Sequence, residues 1–516
     1  MKSGEKVLLG LLMILFVAID CYMLFHNLGM GYLIQTDEAW HATNAYEMYK
    51  QGNWVVNTYR GAADYFNSKP PLCLDLMIIS YNIFGASAFA ARFPSAIGGL
   101  ITCMLVIGFF IRERKVVAAV IFPAIFGACS SLFTFHMYRA AEMDSVYNLF
   151  FTIAMISLYA MARKPQFMYA YGPALGLAFM CKGPHAALIF VIGLIYIPRI
   201  KTAFVSVKRV IISVILAVIV PFIWSLTRYM LDGTKLFEAL LSGEVAGRVS
   251  GADRSAIEPW IDFLTSHIFV IFVVVLALAV VVDVVSQRNI GDNSGISLKV
   301  SRGLQTLRAF AIDNYLFALW ILVPIVFFSI TRSYLTWYTY TSQIALCVLT
   351  ARLVDYCISG ALENESTSRI ADMIRKGIAF MIPSVVVVLA FASIISTIVG
   401  EINPAGKGGH QVDQFTEDMQ GFREIYGEDY VGTNAYLIAD FLVDPGNEGH
   451  WEPEYVAPAE MYVDLIPVDG NLENFLGDPD AILILDKHRW DEFADVLTGH
   501  VILYDNSYLI FTNDMY

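Results

Sequence analysis

The 516-residue sequence is poor in charged residues, and this shortage narrows the classes of protein that it can encode. Asp, Glu, Lys and Arg make up 16% of it, whereas 57% is hydrophobic and the mean hydropathy is +0.57. An ordinary soluble domain is about 25% charged, so a soluble enzyme and a disordered protein are excluded. The chain also lacks a basic excess, since its net charge is −13. That excludes a nucleic-acid-binding protein, which needs Lys and Arg for phosphate.

Paired cysteine motifs, internal repeats and low-complexity segments are absent from the sequence as well. The seven cysteines lie in or beside apolar segments and show no C-x-x-C spacing: Cys21, Cys73, Cys103, Cys129, Cys181, Cys347 and Cys357. This pattern predicts neither a disulfide framework nor a zinc site. It is typical of cysteines buried as small apolar residues. A polytopic membrane protein is the class that fits the composition.

The charge is divided unevenly along the chain. Residues 400–516 hold 24 acidic and four basic residues, a net charge of −20, whereas residues 1–399 hold 23 acidic and 30 basic residues, a net charge of +7. The sequence therefore predicts two domains, a membrane domain at 1–399 and an acidic soluble domain at 400–516. In the second domain, apolar runs at 481–485, 501–504 and 508–511 predict strands and 489–497 predicts a helix, which together indicate a small α/β fold.

Eleven apolar segments are candidates for membrane-spanning helices, each of which needs about 20 residues. They are 7–26, 91–111, 116–136, 144–162, 167–182, 184–198, 209–227, 262–285, 314–331, 338–356 and 378–399. With the N-terminus in the cytoplasm, 19 of the 30 basic residues in 1–399 fall on the cytoplasmic side, as the positive-inside rule requires. This topology places large loops at 27–90 and 228–261 outside, together with the acidic domain. Leu72–Phe84 is too short to span and is predicted to lie at the outer interface.

Ionisable residues at the outer ends of the spans indicate a polar cavity that opens outward, since charge at membrane depth usually serves a function. Asp37 and Glu38 begin a helix-like stretch in the first outer loop. Two interpretations fit them: charges that favour a helix N-terminus, or a general base with a helper carboxylate.

Five further features on this side each allow a structural and a functional interpretation. Lys69, before two prolines, is either a lysine that reaches the interface or a point charge for a lipid phosphate. Arg139, Glu142 and Asp144 form either a structural charge cluster or part of the site. Lys182, before Gly-Pro, either marks the interface or faces the cavity. Glu244 and Arg248 form either a surface ion pair or a phosphate site. The aromatic linker at 332–340 is either an interfacial belt or a head-group platform.

Taken in order, these motifs resemble those of the ArnT-like and protein O-mannosyltransferase-like membrane glycosyltransferases of the GT-C fold, family 39 and its relatives. The resemblance covers about residues 5–345. It is carried by a set of ordered motifs: Asp37-Glu38, Trp54, Tyr65-Phe with Lys69-Pro-Pro-Leu72, Arg92-Phe-Pro-Ser95, Arg139 to Asp144, Lys182-Gly-Pro184, and Glu244 with Arg248. It implies an all-α GT-C membrane domain and a glycosyltransferase that moves a sugar from a polyprenyl-phosphate donor to an extracytoplasmic lipid, cell-envelope glycan or protein hydroxyl.

The resemblance also implies roles for individual residues. Asp37 would be the catalytic base, with Glu38 beside it. Lys69, Arg248, Tyr65 and Tyr338 would bind the donor phosphate, and Arg139, Asp144, Lys182 and Glu244 would support the site. Displacement in one step would invert the anomeric centre.

Three departures from the family pattern limit what the resemblance implies. Relatives with a metal near the donor phosphate carry an acid before the motif lysine and a His ahead of the loop arginine. This chain has Ser68 and Gly243 there, so no metal ligand and no cofactor are predicted. Three residues separate Tyr65 from Lys69 where two are usual, and the aromatic linker reads Leu335-Thr-Trp-Tyr338 in place of Lys-Leu-Pro-x-Tyr.

Two other classes of membrane protein fit the composition. A multi-pass transporter or flippase of lipid-linked or small substrates usually shows paired halves, broken helices and charges near the midplane. A noncatalytic assembly protein, with residues 400–516 as a binding module, would leave Asp37, Lys69 and Arg248 without a purpose. The glycosyltransferase is the hypothesis that explains the whole set.

Overall fold

The computed structural model describes residues 3–30, 32–33, 36–242, 254–287, 308–363, 369–403, 411–439 and 449–515. Most of the described chain up to residue 403 is α-helical. By length and hydropathy, seven helical segments of the described residues could cross a membrane, or eight if the bent pair Glu258–Thr265 and His267–Val282 forms one span. The chain is therefore a multi-pass membrane protein, as its composition predicts.

Fifteen helices of the described chain precede the C-terminal domain. They are α1 (Ser3–Phe25), α2 (Thr36–Gln51), α3 (Leu72–Phe84), α4 (Ala88–Arg112), α5 (Val116–Gly127), α6 (Met143–Met161), α7 (Met168–Lys182), α8 (Ala187–Ile200), α9 (Val207–Asp232), α10 (Lys235–Ala239), α11 (Glu258–Thr265), α12 (His267–Gln287), α13 (Tyr315–Thr331), α14 (Tyr340–Glu363) and α15 (Arg369–Thr397). Between α2 and α3, the two short strands β1 (Thr58–Tyr59) and β2 (Ala62–Ala63) form an antiparallel hairpin.

Each of the eleven predicted spans contains a helix, but the predicted span at 116–136 ends early. Helix α5 stops at Gly127, and a short 3-10 turn at Ser130–Leu132 follows. The apolar side chains beyond it, including Leu132, Phe133 and Met137, are buried against protein. Composition alone does not distinguish such a buried loop from a lipid-exposed helix, and this loop carries His136 to the start of α2.

Helix α3 has the length that an interfacial position requires. Its 13 residues extend about 20 Å at 1.5 Å per residue, which is short of the roughly 30 Å of a bilayer core. One side is buried, including Leu74, Met77 and Tyr81, while Ile83 and Phe84 are exposed. Its position at the outer interface stays a prediction.

Helices α7 and α9 approach each other closely through glycines. A Cβ atom on Gly172 would lie 2.3 Å from the carbonyl oxygen of Ser213, and one on Gly176 would lie 2.3 Å from that of Ala217. This small-x-x-x-small spacing is a common way for membrane helices to pack, because contact between backbones replaces the hydrophobic effect inside a lipid bilayer.

The C-terminal domain is a small α/β fold, as predicted. Its five strands are β3 (Asn434–Ile438), β4 (Ile466–Pro467), β5 (Ile482–Asp486), β6 (His500–Asp505) and β7 (Tyr508–Met515), in the order β4-β3-β5-β7-β6. β3 pairs in parallel with β4 and β5, whereas β7 pairs antiparallel with β5 and β6. Its helices are α16 (Gln411–Tyr426), α17 (Pro453–Pro458), α18 (Leu472–Leu476) and α19 (Trp490–Leu497).

The C-terminal domain docks on α2 and the hairpin that follows it through charged contacts. Lys50 Nζ lies 2.5 Å from Asp464 Oδ2, and Arg60 Nη1 lies 2.8 Å from Asp469 Oδ2. Thr36 Oγ1, at the start of α2, donates to Glu454 Oε1 at 2.5 Å. The domain thereby fixes both ends of α2 and the hairpin that follows it.

Two buried carboxyl groups, those of Glu47 and Glu460, meet in this interface. Burial raises the pKa of both, and the charge of Glu47 raises the pKa of Glu460 further. A raised pKa means that the folded protein binds the proton more tightly than the unfolded chain does. The stability from these groups is therefore present below their ordinary pKa of 4.5 and is lost as the pH rises through the raised values.

We expect Glu460→Gln to stabilise the protein at pH 8 by about 1–2 kcal/mol, since one pKa unit is worth about 1.4 kcal/mol, and to have little effect near pH 4.5. The measurement is the thermal unfolding of the detergent-solubilised chain across this pH range. Glu424→Gln, at an exposed glutamate of α16, is the matched control. An unchanged pH slope in Glu460→Gln would contradict the assignment.

Candidate active site

Asp37 and Glu38 occupy the first turn of α2. Acidic side chains are stabilising at this position, because the helix dipole is positive at its N-terminus. They differ in environment, because Asp37 is exposed whereas Glu38 is buried. The carboxylate of Glu38 accepts hydrogen bonds from Nε and Nη2 of Arg92 on α4, at 2.7 and 3.0 Å. It also accepts one from the backbone N–H of Ala141, at 2.8 Å. Both of its oxygens are thus occupied in holding α2 against α4, and Asp37 is the carboxylate of the pair that faces solvent.

A second carboxylate, Glu142, lies between two histidines behind Asp37. His136 Nδ1 is 2.8 Å from Glu142 Oε1, and His41 Nδ1 is 3.3 Å from Glu142 Oε2. Burial acts to raise the pKa of Glu142, but the two histidines outweigh burial and hold that pKa well below its usual range. Burial lowers the pKa of His136, but Glu142 raises it by more. Glu142 is therefore ionised, and its carboxylate lies between the two rings.

Asp37 joins this cluster directly. One donor atom from each of Asp37, His136 and Glu142 lies within 4.8 Å of the other two. Carboxylate oxygen and imidazole nitrogen are ligands that divalent metals accept, so these three residues could hold a cation. The same arrangement also lets Asp37 take a proton beside an imidazole that Glu142 keeps in place.

From His136 a series of ring contacts leads to Lys182. The ring of His136 stacks on Trp337, with centroids 3.7 Å apart. The next residue, Tyr338, lies beneath the ammonium group of Lys182, whose Nζ is 4.6 Å from the ring centroid. Lys182 Nζ also donates to Asp144 Oδ1 at 2.5 Å, and both side chains are buried. The structure thus brings Asp37, Tyr338, Lys182 and Asp144, all predicted site residues, into one connected set.

The loop that carries Tyr65 and Lys69 is fixed by side-chain to backbone hydrogen bonds. Asp64 Oδ1 accepts from the N–H groups of Phe66 and Asn67 at 2.9 and 3.0 Å. Asn57 Nδ2 donates to the carbonyl oxygens of Asn67 and Lys69 at 2.7 and 3.0 Å. Such local bonds are typical of Asx turns. They fix the backbone from which the two predicted phosphate ligands project.

Lys69 lies close to the break after α7. Pro70, its neighbour, is near Gly183, where an added Cβ atom would lie 3.7 Å from the proline Cδ, and Gly183 has a φ of 54° that favours glycine. Lys69 is half-buried, and within the described part of the chain no carboxylate forms an ion pair with it. Its ammonium group is therefore available for an anion. Tyr65 is half-buried and packs beside Met180 and Trp224.

An apolar groove of about 450 Å³ runs between α8 and α13 to this same set. Its walls are mainly apolar, with Leu188, Val191 and Ile195 on one side and Leu322, Val326 and Phe327 on the other. At the end near the site it is lined by Pro184 and His185. The ring of His185 lies 5.0 Å from that of Tyr338. The groove fits an apolar chain whose polar end would reach Tyr338 and Lys182.

Arg139, another predicted site residue, lies outside this connected set. Arg139 Nη1 donates to the backbone oxygens of Met23 and His26, at 2.7 and 2.9 Å, and so caps the C-terminal end of α1, where a cation is favourable. Glu244 and Arg248 lie outside the described residues. Sequence reasoning missed His41 and His136 as site residues. The one available signal was a histidine at the end of an otherwise apolar segment, 116–136.

Comparison with known proteins supports the resemblance that the motifs indicate. Residues 68–224 match the family described as dolichyl-phosphate-mannose-protein mannosyltransferase. The chain is 30% identical over 241 residues, or 44% of its length, to the undecaprenyl phosphate-alpha-4-amino-4-deoxy-L-arabinose arabinosyl transferase of Yersinia pestis (strain Pestoides F). It is 25% identical over 177 residues, or 33% of its length, to an uncharacterized protein of Aquifex aeolicus. These alignments span 40% and 34% of the two relatives.

Two solved structures share the fold along the whole chain. The crystal structure of ArnT from Cupriavidus metallidurans bound to undecaprenyl phosphate has a TM-score of 0.67 at 15% sequence identity and covers 99% of both chains. The apo state of the same protein has a TM-score of 0.65 with the same coverage. The GT-C fold and the resemblance to ArnT-like proteins, both predicted from the motifs, are confirmed.

Proposed function

We propose that this chain, which has the ArnT fold, is a membrane glycosyltransferase that moves a hexosyl or pentosyl group from a polyprenyl-phosphate donor to an extracytoplasmic hydroxyl. The observation that carries the proposal is the unbroken set of contacts from the apolar groove, through Tyr338 and Lys182, to His136 and the exposed carboxylate of Asp37. This set provides a place for a lipid chain, cations at its polar end, and a base. The charged residues of this set lie at one end of the bundle rather than at the midplane, which argues against a transporter.

In the proposed reaction, Asp37 accepts the proton of the acceptor hydroxyl as that oxygen attacks the anomeric carbon. The bond from this carbon to the phosphate oxygen breaks in the same step, and the polyprenyl phosphate leaves with the electron pair, so the anomeric configuration inverts. Glu142 and the two histidines keep an ordered polar wall behind Asp37. A base positioned in this way contributes about 10²–10⁴-fold to a rate.

The leaving phosphate gains negative charge as the bond breaks, and cations fixed in advance stabilise that charge. Lys69 is the half-buried ammonium group available for this, with Tyr65 and Tyr338 as hydroxyl donors. Lys182 is held in place by Asp144. By resemblance, Arg248 is assigned to the same phosphate, with Glu244 to orient it. The polyprenyl chain would lie in the groove between α8 and α13.

The reaction is placed on the extracytoplasmic side of the cell membrane. The excess of Lys and Arg in the opposite loops supports a cytoplasmic N-terminus. It also puts the C-terminal domain on the same side as Asp37, in agreement with the direct contacts between that domain and α2. The acceptor is a lipid, a cell-envelope glycan or a protein hydroxyl.

The test of this function is donor consumption by the purified protein after reconstitution into membranes. A panel of radiolabelled polyprenyl-phosphate hexoses and pentoses is supplied, beginning with the aminoarabinose donor named for the Yersinia relative. We expect one donor to release polyprenyl phosphate faster than in membranes without the protein. Consumption of none of these donors would overturn the proposal.

Lys69→Met should lower kcat for the accepted donor by about 10²–10³-fold, the typical cost of one lost donor to a developing anion. Lys235→Met is the matched control, because Lys235 is an exposed lysine in the other outer loop, and we expect it to keep the wild-type rate. If both variants turn over donor equally, Lys69 does not contact the leaving phosphate.

Removal of divalent metal should leave the rate unchanged within about twofold, because cationic side chains supply the charge that a Lewis-acid metal would otherwise contribute, worth several kcal/mol. Transfer is measured before and after dialysis against a chelator. A large loss that added metal restores would contradict this expectation.

A further inference from the structure

A second polar cavity lies at the opposite end of the membrane bundle. It has a volume of about 660 Å³ and is formed where α4, α6 and α8 end and α13 begins, against the side of α14. On α6, Tyr159 in this cavity is 15 residues from Asp144, or about 22 Å at 1.5 Å per residue. The cavity is therefore separate from the candidate active site.

The main cation of this cavity is Arg352, which is only 8% exposed. Its Nε donates to Asn314 Oδ1, its Nη2 donates to the hydroxyl oxygen of Tyr159 at 3.1 Å, and its guanidinium group lies over the rings of Tyr159 and Phe317. Its Nη1 is buried, and no hydrogen-bond partner for it exists among the described residues. These contacts hold the guanidinium group in place but do not neutralise it.

Arg352 also lacks an acidic partner within the described residues. A buried charge without one costs several kcal/mol, and an anion that enters the cavity would remove this cost. The neighbouring carboxylates are already paired, Asp355 with Lys115 at 3.1 Å and Glu113 with Arg163, while Asp313 is exposed.

A second arginine, Arg199, lines the same cavity from the end of α8. It is exposed, it lies over the ring of Tyr315, and it too has no ion pair in the portion of the chain that the structure covers. One guanidinium group is thus buried and fixed, and the other lies toward solvent. Two such groups match the oxygens of a phosphate, because guanidinium forks bind phosphate through paired hydrogen bonds.

We propose that this cavity binds a phosphate-bearing anion between Arg199 and Arg352. Two sources present that chemistry at the end of a membrane bundle: the head group of an anionic phospholipid, for which basic pockets between membrane helices are known sites, and free phosphate in the solvent. The site is independent of sugar transfer and needs no change in the proposed function.

The test is a ligand-dependent thermal shift on the full chain in detergent. Dioleoyl phosphatidylglycerol, dioleoyl phosphatidylcholine and inorganic phosphate are titrated separately. A ligand at free concentration c that binds only the folded state stabilises it by RT ln(1 + c/Kd), so the unfolding temperature rises with ligand concentration and its concentration dependence gives the apparent Kd. We expect concentration-dependent stabilisation of the wild type by phosphatidylglycerol, by phosphate or by both, and a smaller effect of the zwitterionic lipid.

Arg352→Gln and Arg199→Gln should each raise the apparent Kd for the anion at least about tenfold, the equivalent of one charged hydrogen bond lost. Lys208→Gln is the matched control, since it removes an exposed positive charge at the same end but outside the cavity. Arg199 is exposed, so its variant gives a result even if Arg352→Gln fails to fold.

Stabilisation by phosphatidylglycerol alone identifies a lipid as the ligand, and equal stabilisation by phosphate identifies a soluble anion. Either result supports the site if the two arginine variants lose the stabilisation by that ligand and Lys208→Gln keeps it. The proposal is overturned if no anion stabilises the wild type, or if all three variants respond as the wild type does.

Discussion

Asp37→Asn should abolish sugar transfer, with a fall in kcat of about 10²–10⁴-fold and little change in donor binding. Asparagine keeps the size of the side chain and its place in the first turn of α2, but it no longer accepts a proton at neutral pH. Because Asp37 is exposed and Glu38 makes the buried contacts of that turn, the substitution should not unfold the helix. The measurement is turnover of labelled donor under saturating conditions, with donor binding measured in parallel.

A matched control for this variant is Asp429→Asn, at an exposed aspartate of the C-terminal domain, which should keep the wild-type rate. Wild-type turnover by Asp37→Asn would show that another group takes the proton. Loss of donor binding together with turnover would show that Asp37 positions substrate rather than acting as the base.

The second large effect is on stability, at the buried pair of Glu38 and Arg92. Glu38→Gln should destabilise the protein by about 3–5 kcal/mol, the usual cost of leaving one member of a buried ion pair without its partner. The three backbone oxygens that also accept from Arg92 do not replace the lost charge. Unfolding by SDS in mixed micelles gives the free-energy difference.

The control for this prediction is a double-mutant cycle. Arg92→Met should be destabilising for the reciprocal reason, whereas the double variant Glu38→Gln with Arg92→Met should lose much less than the sum of the two, because neither charge is then left unpaired. Strict additivity would mean that the two side chains do not interact in solution.

The sequence predicts the helices well because a membrane-spanning helix can be recognised from composition, as a long apolar segment with few charges. Its failure at 116–136 has a physical cause. An apolar residue inside a folded loop and one facing lipid look alike in composition, and only the tertiary fold buries Leu132 and Phe133. Likewise, Pro453–Pro458 and Ile466–Pro467 in the C-terminal domain are too short and irregular to produce a periodic pattern.

The site was predictable where a motif names a residue type at a fixed place. Asp37, Tyr338, Lys182 and Asp144 meet as the motif order predicts, since adjacent span ends bring them to one face of the membrane. The grouping of His41, His136, Glu142 and Trp337 was not predictable, because their spacings along the chain have no period and depend on the tertiary fold. Burial also separates the roles of Asp37 and Glu38, which the dipeptide alone leaves open.

The docking of the C-terminal domain on α2 has a consequence for the order of events during biosynthesis. Thr36 and Glu454, which hydrogen-bond to each other, are 418 positions apart in the chain. At about 5–20 residues per second, the ribosome needs roughly 20–80 s to supply the second partner after the first. Throughout that interval α2, the helix that carries Asp37, lacks its contacts with the C-terminal domain. The newborn chain would thus gain a firmly held α2 only once the C-terminal domain has been made and folded, so Asp37 is fixed in place long after its own synthesis.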